Sequence, residues 1–284
     1  MTLTPTGAAV QPLRPFLKWA GGKTRLLPKL LPYVPKRFIN YHEPFLGGGA
    51  VFFAVRNRIE GTAHLHDLND KLVNVWQTAQ QDPAGLLDAI AYYRIHDSKE
   101  FYYEQRQAEP STLAGQAAWF LYVNQTAWNG LWRVNKWGQF NVPWGDRPFR
   151  GIDEDSLYRI SDALIGATIT SDDFRDTLQK PQAGDFVYLD PPYLPISDTS
   201  KFYLYTERRF RAPDLAELAA LCDSLTERGV HWIMSNRDTQ QVRDLFPDNE
   251  IVSFTARRSV AAQNRRDVEQ AASPEALILG GPDR

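Results

Sequence analysis

Residues 38–58 read Phe38-Ile-Asn-Tyr-His-Glu-Pro-Phe-Leu-Gly-Gly-Gly-Ala-Val-Phe-Phe-Ala-Val-Arg-Asn-Arg58, and this stretch decides the fold. A short apolar run, Phe38–Glu43, meets a proline and three glycines, and a helical pattern follows over Ala50–Arg58. Glycines between a strand and a helix permit a tight turn and let a ligand come close to backbone.

Outward from this unit the same rhythm continues. Ala63–Asp67, Ala167–Ser171, Phe186–Asp190 and His231–Ser235 are further short apolar runs of the kind that form buried parallel strands. Ile251–Thr255 and Ala276–Leu279 are placed to finish the sheet, and Pro213–Arg228 carries a helical pattern. Alternation of strand and helix predicts an α/β fold with a doubly wound, mostly parallel sheet. Ligands in such sheets bind at the carboxyl ends of the strands.

The rhythm breaks between Thr78 and Ser156, a region that holds five of the eight tryptophans. Helical patterns there lead into Trp128–Trp144, where Gly130–Val134 and Gln139–Pro143 flank Asn135-Lys-Trp-Gly138 as a hairpin around a glycine-ended turn. We therefore expect a tail over 1–14, one domain built from 15–77 and 157–284, and an inserted helical and hairpin module over 78–156.

The chain has 284 residues, 43% of them hydrophobic, enough for one large domain and a smaller module. A net charge of −2 shows no global signature of a nucleic-acid binder, so such a role must rest on local basic clusters. The single cysteine, Cys222, excludes an intrachain disulfide, and the five histidines lack zinc-ligand spacing. No metal is expected. The first residues do not resemble a secretory signal, and no apolar run reaches membrane-spanning length, so an intracellular protein without membrane contact is expected.

Three readings compete for the glycine loop: a dinucleotide site, an S-adenosylmethionine site and a structural turn. A dinucleotide fingerprint counted from Gly47 accepts Gly49 but then meets Phe52, too bulky for helix packing beneath a pyrophosphate. Asp67, at the tip of the next strand, suits acceptance of ribose hydroxyls. An adenosine-containing ligand without a pyrophosphate fits both facts. The segment Phe16-Leu-Lys-Trp-Ala-Gly-Gly-Lys-Thr24 contains Gly-Lys-Thr, but a phosphate loop needs glycine where Leu17 stands. Trp19 and Lys23 fit equally a ligand pocket, with the ammonium on a carboxylate, or a structural turn.

Leu189-Asp-Pro-Pro-Tyr193 ends an apolar run and belongs at the carboxyl edge of the sheet beside the glycine loop. Methylating an exocyclic base amine requires its lone pair to be localised and aimed. The Asp190 carboxylate and the Pro191 carbonyl would accept its two N–H bonds, Pro192 would stiffen the turn, and Tyr193 would stack on the base. The competing reading is a plain strand-ending turn.

Four blocks in one order, spread from Phe16 to Leu279, resemble the Dam-like (D12 class) DNA adenine-N6 methyltransferases. They are Phe16–Lys23, Glu43-Pro-Phe-Leu-Gly-Gly-Gly49, the segment Asn129-Gly-Leu-Trp-Arg-Val-Asn135 with Phe140-Asn-Val-Pro143, and Asp190–Tyr193. Ser235-Asn-Arg-Asp238 and Arg257-Arg-Ser259 match further segments, whereas Ala261–Arg266 departs from the Ser/Asn/Gly-rich loop of the pattern.

The resemblance implies a Rossmann-like methyltransferase fold whose insert recognises a target in double-stranded DNA. It implies S-adenosylmethionine as cofactor, held by Trp19, Lys23, Glu43, Phe45, Gly47, Gly49, Asp67 and Asp190, with Asp190, Pro191, Pro192 and Tyr193 catalytic. Methyl transfer to adenine N6 requires the base to be flipped out of the duplex. Lys18, Asn129, Leu131, Arg133 and Pro143 are implied base readers, and Lys136, Arg147 and Arg150 would meet phosphates. Tyr205, within Lys201–Arg211, would belong to a basic, aromatic flap on the DNA. GATC is the family's best-known target. Cytosine N4 methylation and a catalytically idle DNA-binding protein are the alternatives, and Asp rather than Ser at position 190 favours adenine. A cytoplasmic, nucleoid-associated enzyme is expected, with no obligate protein partner. A cognate restriction endonuclease is expected only if the chain belongs to a restriction-modification system.

Overall fold

The computed structural model describes residues 13, 15–19, 21–135, 137–194, 210–257 and 272–282. All of the expected tail but residue 13, residues 201–209 of the expected flap, Lys136 and the 261–266 loop lie outside them. The strands are β1 (Tyr41–Glu43), β2 (Ala63–His66), β3 (Thr168–Thr170), β4 (Phe186–Leu189), β5 (His231–Arg237), β6 (Glu250–Arg257) and β7 (Ala272–Gly280). They form one seven-stranded sheet in the order β3-β2-β1-β4-β5-β7-β6. Neighbours from β3 to β5 pair parallel, while β7 runs antiparallel to both β5 and β6. This is a mostly parallel, Rossmann-like sheet, as the strand-helix rhythm predicts.

The helices are α1 (Leu27–Leu30), α2 (Ala50–Val55), α3 (Asp70–Gln81), α4 (Pro83–His96), α5 (Lys99–Gln105), α6 (Leu113–Thr126), α7 (Glu154–Leu164), α8 (Phe174–Thr177), α9 (Ala212–Glu227) and α10 (Gln240–Leu245). Their starts follow from local chemistry. Asn69 Oδ1 accepts the Leu72 amide at the head of α3, and Asp214 reaches back to the Arg211 amide at the head of α9, each satisfying an otherwise unpaired backbone donor. Among the described residues, no helix is long and apolar enough to cross a membrane.

Strand side chains alternate between two cores. In β4, Phe186 and Tyr188 enter the core that contains Tyr41, Phe52 and Trp76, while Val187 and Leu189 enter the opposite one with Leu215, Leu218, Trp232 and Met234. All four β4 residues are buried, which explains why this strand reads as an unbroken apolar run.

Several boundaries differ from the sequence reading, and two of them bear on the site. Phe38–Asn40 precede β1: Phe38 pairs with Ile59 only as an isolated bridge, and the Ile39 amide turns to Gly184 O. The expected insert boundary at Thr78 falls inside α3, which continues to Gln81. Tyr102, Phe120, Trp132 and Phe140 share the core of Tyr41 and Phe52, so region 78–156 packs as a continuation of the sheet's helical layer. Within it, α6 is buried without a break from Ala117 to Thr126.

Candidate active site

The strand order switches between β1 and β4, which opens a crevice at their carboxyl ends. Three connections converge there: residues 44–49 after β1, Asp67 after β2, and 190–194 after β4.

The glycine loop is held in a conformation that L side chains resist. Gly47 and Gly49 have φ of 49° and 71°, in the left-handed region that glycine adopts without strain. A Cβ on Gly47 would stand 2.7 Å from Trp19 Cδ1. The Gly47 amide donates to Asp67 Oδ2 at 2.9 Å, and its carbonyl accepts the Trp76 indole N–H at 3.0 Å. Asp67 therefore takes the amide that the glycine motif would otherwise offer to a ligand. Its other oxygen accepts the Asn69 amide at 3.0 Å. Burial raises the Asp67 carboxyl to about 6 against the pull of these two N–H groups.

Glu43 is buried at the end of β1 and accepts Tyr41 Oη at 2.8 Å. Burial pushes its carboxyl well above the ordinary range. The Tyr41 hydrogen bond opposes this shift, and the negative charges of Asp190 and Asp67 reinforce it. Phe45 lies against Phe174 and Phe210, with ring centroids at 5.6 and 6.2 Å.

Asp190 follows β4 directly. Its Oδ1 sits 2.7 Å from Lys23 Nζ and accepts Ser235 Oγ at 3.0 Å. Ser235 Oγ in turn lies 2.9 Å from Tyr188 Oη. Lys23 also donates to Gly21 O at 2.9 Å, and its ammonium interacts with Tyr193 as well. Burial alone would lower the Lys23 ammonium, and the Asp190 carboxylate outweighs it, so the group stays charged. Burial raises the Asp190 carboxyl while Lys23 and then Ser235 draw it back down. Among the described residues no donor reaches Asp190 Oδ2. Pro191 is buried and Pro192 exposed. The Tyr193 ring lies 5.1 Å from Lys23 Nζ, and burial lifts its phenol to about 12, so it is neutral.

The implied DNA contacts divide. Val134 pairs with Phe140, Gly138 closes the turn onto Asn135 O, and Arg133 spans the pair: Nε donates to Asn141 Oδ1 at 2.7 Å and Nη2 to Asn141 O at 3.2 Å. Asn129 holds a left-handed φ of 56°, and Pro143 is exposed. Leu131 is buried in the core, so base contact through its side chain would require it to leave that packing. The exposed Lys18 side chain lies near Arg147 and Arg150: partial burial and then these two cations lower its ammonium.

Three supports are not apparent in the sequence alone. Asn124, fully buried in α6, exchanges two hydrogen bonds with the Lys18 backbone, at 3.0 and 2.7 Å, and so ties the N-terminal block to the insert. Trp76 anchors the glycine loop. Ser235 in β5 donates to Asp190 and is itself bonded to Tyr188 in β4. A buried Asn inside a helix was the one available signal.

The model of the D12 class N6 adenine-specific DNA methyltransferases matches residues 19–260. A type II methyltransferase of Lactococcus lactis subsp. cremoris is 34% identical over 89% of this chain and 91% of its own. Another from Methanocaldococcus jannaschii is 35% identical over 79% and 84%. A DNA adenine methylase of Serratia marcescens is 34% identical over 87% and 92%. With a family match across most of its length and relatives of this identity spanned nearly end to end, the chain belongs to the D12 class N6 adenine-specific DNA methyltransferases.

Proposed function

We propose that this protein methylates the N6 amine of an adenine flipped out of double-stranded DNA, with S-adenosylmethionine as donor, in the crevice between β1 and β4. The observation that carries the reading is the asymmetry of Asp190: Oδ1 is held by Lys23 and Ser235, and Oδ2 has no partner among the described residues.

The residues fit the cofactor. Glu43, Asp67 and Asp190 surround the crevice with acceptors, Gly47 brings backbone close where a Cβ would collide with Trp19, and Phe45, half-buried against Phe174, offers an aromatic surface for a purine. Lys23, which stays charged, would attract the cofactor's carboxylate. When bound, S-adenosylmethionine supplies a methyl group on a sulfonium. Asp190 Oδ2 accepts one N6–H and the Pro191 carbonyl the other, which aims the amine lone pair, and the carboxylate receives the proton released on methylation. Tyr193 stacks on the extruded base and offsets part of the few kcal/mol that flipping costs.

Region 78–156 serves target recognition. Arg133, its plane fixed by Asn141, presents its remaining N–H groups to a guanine edge, Lys18 reads a neighbouring base, and Arg147 and Arg150 meet phosphates. GATC is the proposed site, and nucleoid DNA in the cytoplasm the setting.

Thermal unfolding tests the cofactor assignment. S-adenosylmethionine at a hundredfold excess over its Kd should stabilise the protein by about 2.7 kcal/mol, while NAD should leave it unchanged. Protection by NAD alone would overturn the reading. Duplexes containing GATC or a scrambled tetranucleotide test the sequence, and equal methylation of both would remove it.

A further inference from the structure

Asp190 Oδ1 lies at the end of a hydrogen-bonded chain whose direction can be deduced. Tyr188 Oη and Ser235 Oγ are 2.9 Å apart, and either hydroxyl could donate. Ser235 Oγ also lies 3.0 Å from Asp190 Oδ1, and an ionised carboxylate only accepts. The single Ser235 proton therefore goes to Asp190, and Tyr188 must donate to Ser235. Both residues are buried, so neither hydroxyl can exchange this partner for water without cost.

The chain is built from the register of the sheet. Tyr188 in β4 pairs with Ile233 in β5, and Leu189 pairs with Met234, which places Ser235 level with Asp190 just beyond the end of β4. Tyr188 points into the same core as Tyr41, and burial pushes its phenol well above the usual range. It is a permanent donor. With Lys23 on the same oxygen, Asp190 Oδ1 receives two donors and the carboxylate is pinned in rotation.

Resting on the function proposed above, we infer that Ser235, oriented by Tyr188, is a positioning residue for methyl transfer: it holds Asp190 Oδ1 so that Oδ2 faces the target amine. Neither residue touches the reacting atoms. Both act through the carboxylate, and Tyr188 acts only through Ser235.

This hierarchy is testable by a double-mutant cycle read in single-turnover methylation of adenine-containing duplex DNA of mixed sequence. Ser235→Ala should slow transfer by about 10- to 100-fold, the range for losing a hydrogen bond to a charged group. Tyr188→Phe should slow it less. In the Ser235→Ala background, Tyr188→Phe should have no further effect, because its hydroxyl no longer has anything to orient.

Two more readouts separate positioning from general damage. The Kd for S-adenosylmethionine should stay within about threefold in all three variants, which also shows that they fold. The acid limb of the rate profile should move to higher pH in Ser235→Ala, since Asp190, which also faces Lys23, Tyr193, Tyr188 and Glu43, loses a donor to its charged form. Single variants within twofold of wild type, effects that multiply in the double variant, or an acid limb that stays in place would each overturn the inference. Wild-type protein that methylates no adenine would instead overturn the proposed function, and this assignment with it.

Discussion

Lys23 Nζ lies 2.7 Å from Asp190 Oδ1, so the N-terminal block and the tetrapeptide after β4 meet through one ion pair. Both side chains are largely buried, with relative exposures of 9% and 21%. Such a pair is costly to break, because the surviving charge is left without a partner. Replacing Lys23 with Met should destabilise the fold by about 3 kcal/mol or somewhat less, given that Asp190 is partly exposed. Activity should fall further than stability explains, with its acid limb moved to higher pH. Urea unfolding beside a rate profile would check both, and a Met variant of unchanged stability would show that the pair is dispensable.

Asp67 provides a pH handle on the cofactor. Its carboxyl, raised by burial to about 6, accepts hydrogen bonds best when ionised. Affinity for S-adenosylmethionine should therefore strengthen as pH rises through about 6, by roughly three- to tenfold between about pH 5 and about pH 7. Asp67→Asn should bind more weakly and lose this dependence. Calorimetric titration across that window decides it, and an Asn variant with the wild-type slope would assign the titration to another group.

How far the sequence could be read depended on how local each determinant is. β4 is visible because a parallel strand covered on both faces must be apolar throughout. The glycine loop and Asp190–Tyr193 are visible because their residue types are unusual for a strand end. β7 extends past the apolar Ala276–Leu279 to Ala272 because its first three residues, Ala272–Pro274, pair only with β6, where polar residues are tolerated. Asn124 with Lys18, Trp76 with Gly47 and Ser235 with Asp190 are partnerships of topology. Apart from an Asn inside the apolar run of α6, nothing within a few residues of either member marks them. The burial of Leu131 was likewise hidden, since a leucine in a hairpin reads the same whether it faces a core or a base.

Gly47 should tolerate no side chain. Its φ of 49° and the 2.7 Å approach of Trp19 Cδ1 mean that Gly47→Ala must strain the backbone and displace the indole. A loss of about 1–3 kcal/mol follows, together with weaker cofactor binding. Gly166, also left-handed but with open space around a Cβ, is the control: Gly166→Ala should cost the backbone strain alone. Equal cofactor affinity in both variants would contradict the account of the loop.

His66 should set part of the acid sensitivity of the fold. It is buried beside β3, with Nδ1 2.6 Å from Thr170 Oγ1, and burial holds its imidazole down at about 4, only partly offset by Asp172. Because the folded value is depressed below the unfolded one of about 6.5, its contribution is fully present above that value and is lost as pH falls toward about 4. Between about pH 7 and about pH 5 the loss should reach about 2 kcal/mol. Asp67, shifted upward, works in the opposite sense over the same window, so the comparison must be made against His66→Gln, which should lose less stability on acidification than wild type. Identical losses would remove His66 from the account.

The central claim is that Asp190 directs a methyl group onto adenine N6. Purified protein and its Asp190→Ala variant, each incubated with methyl-labelled S-adenosylmethionine and duplex DNA and then digested to nucleosides, test it directly. Label in N6-methyladenine from wild type, and at least about a hundredfold less from the variant, is the predicted result. Label in cytosine, or equal labelling by the two proteins, would contradict it.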